Sequence, residues 1–204
     1  RGESAAIFAP GTEHITLRNC TIVNSRGIRV HGTGHIIEGC KIDAYGCGIF
    51  AEPDCAFLTI RNNDIKAGIC GIYLECDSHH ALIDSNTIHD CGYWYDDSKF
   101  PFRFPRMGVD KREAIAIDAS TDNIIQHNVI RNCAFVAGIT LYRNCGEMGE
   151  PTRTQGANRN TIRYNEIDSE IPVWVEARKN RDLAGWDCSC EGRWEWVWKV
   201  DFPY

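Results

Sequence analysis

The 204-residue sequence predicts an all-β solenoid of about six short coils. One short unit recurs along the chain: an apolar residue, two variable residues, Asn or Cys, one more residue and then Ile. The Asn-or-Cys positions are Cys20, Cys40, Asn63, Asn86, Asn128 and Asn165. A second apolar segment of strand length follows each unit, at 27–30, 48–51, 71–74, 114–117, 138–141 and 172–175.

The spacing of the units sets the size of one coil. The isoleucines that end successive units are 20, 23, 23, 42 and 37 residues apart, which indicates a coil of 20 to 23 residues with two insertions. Apolar residues alternate at period two within segments of three to five residues, which excludes helical repeats. We therefore expect each coil to be strand-turn-strand-turn, and stacked coils to bury aligned isoleucines.

The recurring Asn and Cys residues have a structural interpretation. Asn63, Asn86, Asn128 and Asn165 occupy equivalent bends, where an inward amide can bond the turn backbone and its copies on neighbouring coils. We expect Cys20 and Cys40 to fill the same position as small buried residues. The other stacked cysteines, Cys47 with Cys70 and Cys91 with Cys133, are predicted to be reduced thiols rather than disulfides.

The G-I-x-L and N-x-I repeats, over roughly residues 15–177, resemble the right-handed parallel β-helix superfamily. That superfamily includes pectate and alginate lyases, alginate epimerases and several families of glycoside hydrolases. The resemblance implies a right-handed parallel β-helix, a polysaccharide or oligosaccharide partner, and an extracellular or periplasmic location. The sequence contains none of the diagnostic active-site strings of pectate lyases, polygalacturonases or alginate lyases. Their absence argues against a lyase.

Composition limits the classes of partner. The chain has 28 acidic and 22 basic residues and a net charge of -6, which argues against nucleic-acid binding. No apolar stretch approaches the length of a membrane span. We expect a parallel β-helix over 1–177, with insertions at about 91–113 and 145–158. The Trp-rich segment 178–204 is predicted to be a C-terminal cap or the start of a continuing region.

Both insertions flank the second segments, so we expect a groove over the outward face of that sheet. The outward residues there form two columns, and one of them places Glu52, Glu75 and Asp118 on consecutive coils. Glu75 and Asp118 are the candidate catalytic pair of a retaining glycosidase. The three carboxylates could instead bind Ca²⁺, as in many lyases of this superfamily. The alternative to a metal is no cofactor at all.

Other residues around the predicted groove complete the candidate site. A lyase needs a base, and Lys111, Arg112, Tyr142 and Arg143 are the candidates. Aromatic residues stack on sugar rings and arginines bind carboxylates. The candidate substrate-binding residues are Tyr73, Trp94, Tyr95, Arg103, Arg106, Trp174 and Glu176.

The sequence leaves the reaction open. A carbohydrate-active enzyme could cleave a polysaccharide in this groove by glycoside hydrolysis or by β-elimination. The alternative is a non-catalytic glycan-binding or adhesive β-helix module.

Overall fold

The computed structural model describes residues 4–91, 113–133, 138–142 and 156–169. These residues form eighteen β-strands in three six-stranded parallel sheets, which we name A, B and C. The described part of the chain contains no helix that could cross a membrane. The prediction of an all-β solenoid of about six coils is confirmed, because each sheet receives one strand from each coil.

The strands follow one another in the order A, B, C in every coil. Sheet A contains β1 (Ala6–Phe8), β4 (Ile28–Val30), β7 (Ile49–Ala51), β10 (Ile72–Leu74), β13 (Ile115–Asp118) and β16 (Ile139–Tyr142). Sheet B contains β2 (Thr16–Arg18), β5 (Ile36–Glu38), β8 (Thr59–Arg61), β11 (Leu82–Asp84), β14 (Ile124–Gln126) and β17 (Thr161–Arg163). Sheet C contains β3 (Thr21–Ser25), β6 (Lys41–Ala44), β9 (Asp64–Ala67), β12 (Thr87–His89), β15 (Val129–Cys133) and β18 (Glu166–Ser169).

The expectation of two strands per coil was wrong, because each coil has three. The recurring unit contains two strands, one in sheet B and one in sheet C, joined by a sharp bend. The residue before the bend Asn is left-handed, with φ of 54° at Asn62, 56° at Ser85 and 53° at His127. That conformation turns the chain from sheet B into sheet C within two residues, while the apolar alternation of the sequence continues through the bend.

Isoleucines from all three sheets fill the core. In the third coil, Ile60 of sheet B, Ile65 of sheet C and the following Ile72 of sheet A are fully buried. Each pairs in register with isoleucines of the next coil, such as Ile65 with Ile88 and Ile72 with Ile115. Burial of each such side chain stabilises the fold by about 1.5–3 kcal/mol.

The predicted asparagine ladder is confirmed at the bend between sheets B and C. The Asn86 Oδ1 accepts hydrogen bonds from the Asn63 backbone N–H at 3.0 Å and from Asn63 Nδ2 at 2.9 Å. Asn86 Nδ2 donates to the Ile60 carbonyl and to Asn128 Oδ1, both at 2.9 Å. Asn128 and Asn165 repeat the pattern on the next coils. Each amide thus bonds both the bend and its copies.

A second ladder, which the sequence analysis missed, lies at the bend between sheets A and B. Asn123 Oδ1 accepts from the Ala81 N–H at 2.8 Å, and Asn123 donates through Nδ2 to Asn160 Oδ1 at 2.8 Å. In the second coil a buried histidine occupies this position: His35 Nδ1 accepts from the Ile15 N–H at 3.0 Å. Its Nε2 therefore carries the proton and donates to the His31 carbonyl at 2.8 Å.

The cysteine prediction is also confirmed. The described cysteines are all free thiols: Cys20, Cys40, Cys47, Cys55, Cys70, Cys76, Cys91 and Cys133. Cys40 takes the ladder position as expected, and its backbone N–H donates to Asn63 Oδ1 at 2.9 Å. Cys40, Cys55, Cys70, Cys76, Cys91 and Cys133 are small buried groups of the scaffold, and Cys20 and Cys47 are half-buried.

We predict that Asn86→Ala lowers the free energy of unfolding by at least about 2 kcal/mol, because it leaves the buried Asn63 N–H and Ile60 carbonyl without their partner. Chemical denaturation measures this. Asn158→Ala, at an exposed position, is the matched control. Equal stability of the two variants would contradict the structural role of the ladder.

His89 on sheet C makes the fold sensitive to pH. Its Nδ1 lies 2.9 Å from Asp90 Oδ2, and its Nε2 lies 2.8 Å from Asp64 Oδ1 on the preceding coil. Burial alone would lower the pKa of His89, but the hydrogen bonds to the two carboxylates outweigh it and raise that pKa above 6.5. The imidazolium therefore joins neighbouring coils.

We predict that the stability supplied by His89 is fully present below pH 6.5 and is lost as the pH rises through its raised folded-state pKa. His89→Gln should flatten this part of the curve of unfolding free energy against pH. His31→Gln, outside the cluster, should leave it in place. An unchanged slope in the His89 variant would refute the assignment.

Candidate functional site

Both insertions meet sheet A, as the sequence predicts. The first lies between β12 of sheet C and β13 of sheet A, and the second lies between β16 of sheet A and β17 of sheet B. Most of their residues lie outside the described part of the chain, so the predicted walls of the groove remain a prediction. The outer face of sheet A between these two points is the candidate site.

Strand register aligns the first of the two columns on this face from Arg29 to Thr140. Arg29 pairs with Phe50, Phe50 with Tyr73, Tyr73 with Ala116 and Ala116 with Thr140. The residues on either side of a column member in sequence point inward. Ile28 and Val30, which flank Arg29, are fully buried in the core. The second column follows the same register, since Asp118 pairs with Tyr142.

The N-terminal half of this face is a strip of stacked side chains. The Phe50 and Tyr73 rings are parallel within 10°, with centroids 4.9 Å apart. The Arg29 guanidinium lies 5.4 Å from the centroid of the Phe50 ring and forms an ion pair with Glu52. Phe50 therefore covers one face of the Tyr73 ring, so a sugar ring cannot stack on that face.

The central feature is a chain of hydrogen bonds across three coils, which we call the hydroxyl relay: Tyr142, Tyr73 and Asp118. Tyr142 Oη donates to Tyr73 Oη at 3.0 Å, and Tyr73 Oη donates to Asp118 Oδ2 at 3.0 Å. Asp118 is fully buried. A buried carboxylate needs such donors, because its desolvation is otherwise costly.

The small side chain of Ala116 makes the relay possible. Tyr73 lies on β10 and Tyr142 on β16, and β13 with Ala116 lies between them. The two tyrosines meet across this coil, and Ala116 is fully buried. A larger residue at this position of β13 would occupy the space that the two phenol rings cross.

The environment keeps both tyrosines protonated. Burial raises the pKa of Tyr73, and the nearby Tyr142, Asp118 and Glu75 raise it further. Burial also raises the pKa of Tyr142, with added contributions from Glu113 and Asp118. Both phenols are therefore hydrogen-bond donors, which disfavours the prediction of Tyr142 as a proton-abstracting base.

Glu75 lies next to this relay. Glu75 is adjacent in sequence to Leu74 of β10, and Asp118 ends β13, the neighbouring strand. Glu75 is 8% exposed and its Oε1 accepts from the Cys76 N–H at 3.2 Å. Neighbouring strands lie about 4.8 Å apart, so the fold brings the two predicted catalytic carboxylates onto adjacent coils.

The calcium prediction gains no support from the described residues. They contain no group of three His, Cys, Asp or Glu side chains arranged to hold a metal. Among the predicted ligands, Glu52 is already engaged by Arg29. Glu75 and Asp118 retain their place in the candidate site as carboxylates of the outer face.

Several predicted site residues lie outside the described part of the chain. They are Trp94, Tyr95, Arg103, Arg106, Lys111, Arg112, Arg143, Trp174 and Glu176. Their predicted roles in base catalysis or substrate binding remain predictions. The segment 178–204, predicted as a cap or a continuing region, also lies outside the described residues.

Two residues of this region were missed by the sequence analysis. Glu113 lies two residues before β13, and Thr140 lies on β16 beside Ala116. One buried oxygen of each, Glu113 Oε2 and Thr140 Oγ1, has no hydrogen-bond partner. The register of the second segments already aligned Thr140 with Tyr73, but no sequence signal marked its hydroxyl as unsatisfied.

Comparison with known proteins identifies the class. The family model described as "Right handed beta helix region" matches residues 5–170. The chain therefore belongs to the right-handed β-helix family, as the repeats indicated. No curated protein and no solved structure matches the chain significantly.

We predict that Tyr73→Phe lowers the free energy of unfolding by about 1–3 kcal/mol, because buried Asp118 loses a hydrogen-bond donor. Asp118→Asn in the same background should show a coupling of about 0.5–3 kcal/mol in a double-mutant cycle. Tyr164→Phe, at a residue that is 74% exposed, is the control. Strict additivity of Tyr73→Phe and Asp118→Asn would rule out the relay.

Proposed function

We propose that this β-helix is a carbohydrate-active enzyme that hydrolyses glycosidic bonds on the outer face of sheet A. The observation that carries the proposal is the buried Asp118, held by Tyr73 at 3.0 Å beside Glu75 on the adjacent coil. Glycoside hydrolysis requires two carboxyl groups in different environments, one to donate a proton and one to act as nucleophile or base. Asp118 and Glu75 are both buried but differ in their hydrogen bonds, since Asp118 accepts one from the Tyr73 hydroxyl and Glu75 accepts one from the Cys76 backbone N–H.

Two further arguments favour hydrolysis over β-elimination. Elimination needs a group that removes a proton, and Tyr142, the candidate base among the described residues, has a raised pKa that opposes that role. The adjacent-coil spacing of about 4.8 Å resembles the short separation of carboxyl groups in retaining glycosidases. We therefore propose retention of anomeric configuration.

A second candidate function is supported by the burial of Asp118. A carboxylate with no exposed surface that accepts a tyrosine hydrogen bond can serve the scaffold alone. The chain would then be a non-catalytic glycan-binding module. Its contact with the glycan would come from residues other than Asp118.

We predict that Glu75→Gln and Asp118→Asn each lower turnover by about 10²- to 10⁴-fold, because each amide keeps the shape of the side chain and loses its acid-base function. The assay is the release of reducing ends from a panel of plant, algal and bacterial polysaccharides. Glu38→Gln, on sheet B and ion-paired with Arg18 and Arg61, should keep full activity.

The same panel separates the alternatives. Unsaturated, ultraviolet-absorbing products would show β-elimination and overturn the proposal of hydrolysis. Wild-type protein that binds a polysaccharide but releases no product would support the binding module. Full activity in both amide variants would remove Glu75 and Asp118 from the mechanism.

A further inference from the structure

Glu113 introduces an acidic side chain where the preceding coils have cysteine. Ile72 pairs with Ile115, and Ile49 pairs with Ile72, so Glu113 occupies the position of Cys70 and Cys47. Its carboxylate is close enough to Tyr142 to raise the pKa of that phenol. Glu113 therefore adds a charge beside the hydroxyl relay.

The second observation is a pair of unsatisfied oxygens. In the described residues, three buried side-chain oxygens have no hydrogen-bond partner, and two of them are Glu113 Oε2 and Thr140 Oγ1. The third, Tyr45 Oη, belongs to the turn after β6 of the second coil. Thr140 is only 3% exposed. Buried polar groups in native proteins are nearly always paired, so these two oxygens point to a hydrogen-bonding partner that the described side chains do not supply.

We infer that Glu113 and Thr140 form a subsite for an uncharged, hydroxyl-bearing sugar ring of the substrate. A carboxylate accepts hydrogen bonds, and a threonine hydroxyl both donates and accepts. Sugar hydroxyls both donate and accept as well, so one ring carries the groups needed to satisfy the two oxygens.

The charge of the subsite selects against uronic acids. A uronate carboxylate would face Glu113 in a partly buried setting, with Asp118 and Glu75 nearby. Like charges repel strongly where water is excluded. The subsite therefore favours a neutral hexose or pentose over the corresponding uronic acid. The inferred selectivity narrows the substrate class to polysaccharides of neutral sugars. It rests on the proposed function of the outer face of sheet A.

The test compares neutral oligosaccharides from the panel with the same oligosaccharides after their primary alcohols are oxidised to carboxylates. Equilibrium binding is measured by calorimetry, and turnover is measured separately. Wild-type protein should bind the neutral form at least about 10-fold more tightly than the oxidised form. Glu113→Gln removes the charge and keeps the shape, so it should bring this ratio close to one.

Thr140→Val should weaken binding of the neutral form by about 5- to 10-fold, since one hydrogen bond is lost. Thr140→Ser should restore it. Thr87→Val and Glu166→Gln, both on exposed positions of sheet C, are matched controls and should leave binding unchanged.

The outcomes distinguish the subsite from the proposed hydrolysis. Equal or tighter binding of the oxidised form, or an unchanged ratio in Glu113→Gln, overturns the subsite even if turnover is present. The predicted selectivity without any turnover supports the subsite and overturns the proposed hydrolysis. Lack of binding to every oligosaccharide overturns both.

Discussion

The hydrogen bonds of stacked asparagines to the bends of neighbouring coils are the interaction on which this structure depends. The strands have only three to five residues, so each one contributes few ladder hydrogen bonds of its own to the register. Asn63, Asn86, Asn128 and Asn165 fix it at one bend, and Asn123 with Asn160 does so at another. Because the amide of one coil bonds the backbone of the preceding coil, no coil can slip by a residue without breaking several buried bonds.

This register creates the candidate site. Side chains alternate between the core and the outer face, so a slip by one residue would carry Glu75 and Asp118 into the core. With the register fixed, Tyr73 meets Tyr142 across Ala116 and donates to Asp118 on the neighbouring strand. The same alignment brings Thr140 beside Ala116 and Glu113 to the entry of β13. The structural asparagines therefore lie at the bends of each coil, and the site residues lie on the outer face of sheet A.

Much of this could be predicted from the sequence. The spacing of isoleucines gave the coil length and the outward columns, and the polar residue at each bend gave the first ladder. The third strand was missed, because left-handed residues such as Asn62 and Ser85 turn the chain while the apolar alternation continues. The second ladder was missed because its position carries asparagine only in the last two coils, at Asn123 and Asn160, and other residue types, such as His35 and Ala81, in earlier coils.

The site was predictable only in part, and for a physical reason. A repeat aligns positions, so it placed Glu75, Asp118 and Tyr142 on one column. It does not show burial or hydrogen-bond satisfaction, which depend on three-dimensional neighbours. The relay through Tyr73, the ion pair of Glu52 with Arg29, and the unpaired oxygens of Glu113 and Thr140 became visible only in the structure.

Native-state hydrogen exchange of the ladder amides tests the central claim most directly. The backbone N–H groups of Asn63, Asn86 and Asn128 donate to the side-chain oxygen of the next asparagine. If the ladder holds the register, these amides exchange only when the whole solenoid unfolds, with the free energy of global unfolding. Exchange through local opening of the bends, at a much lower free energy, would contradict the account.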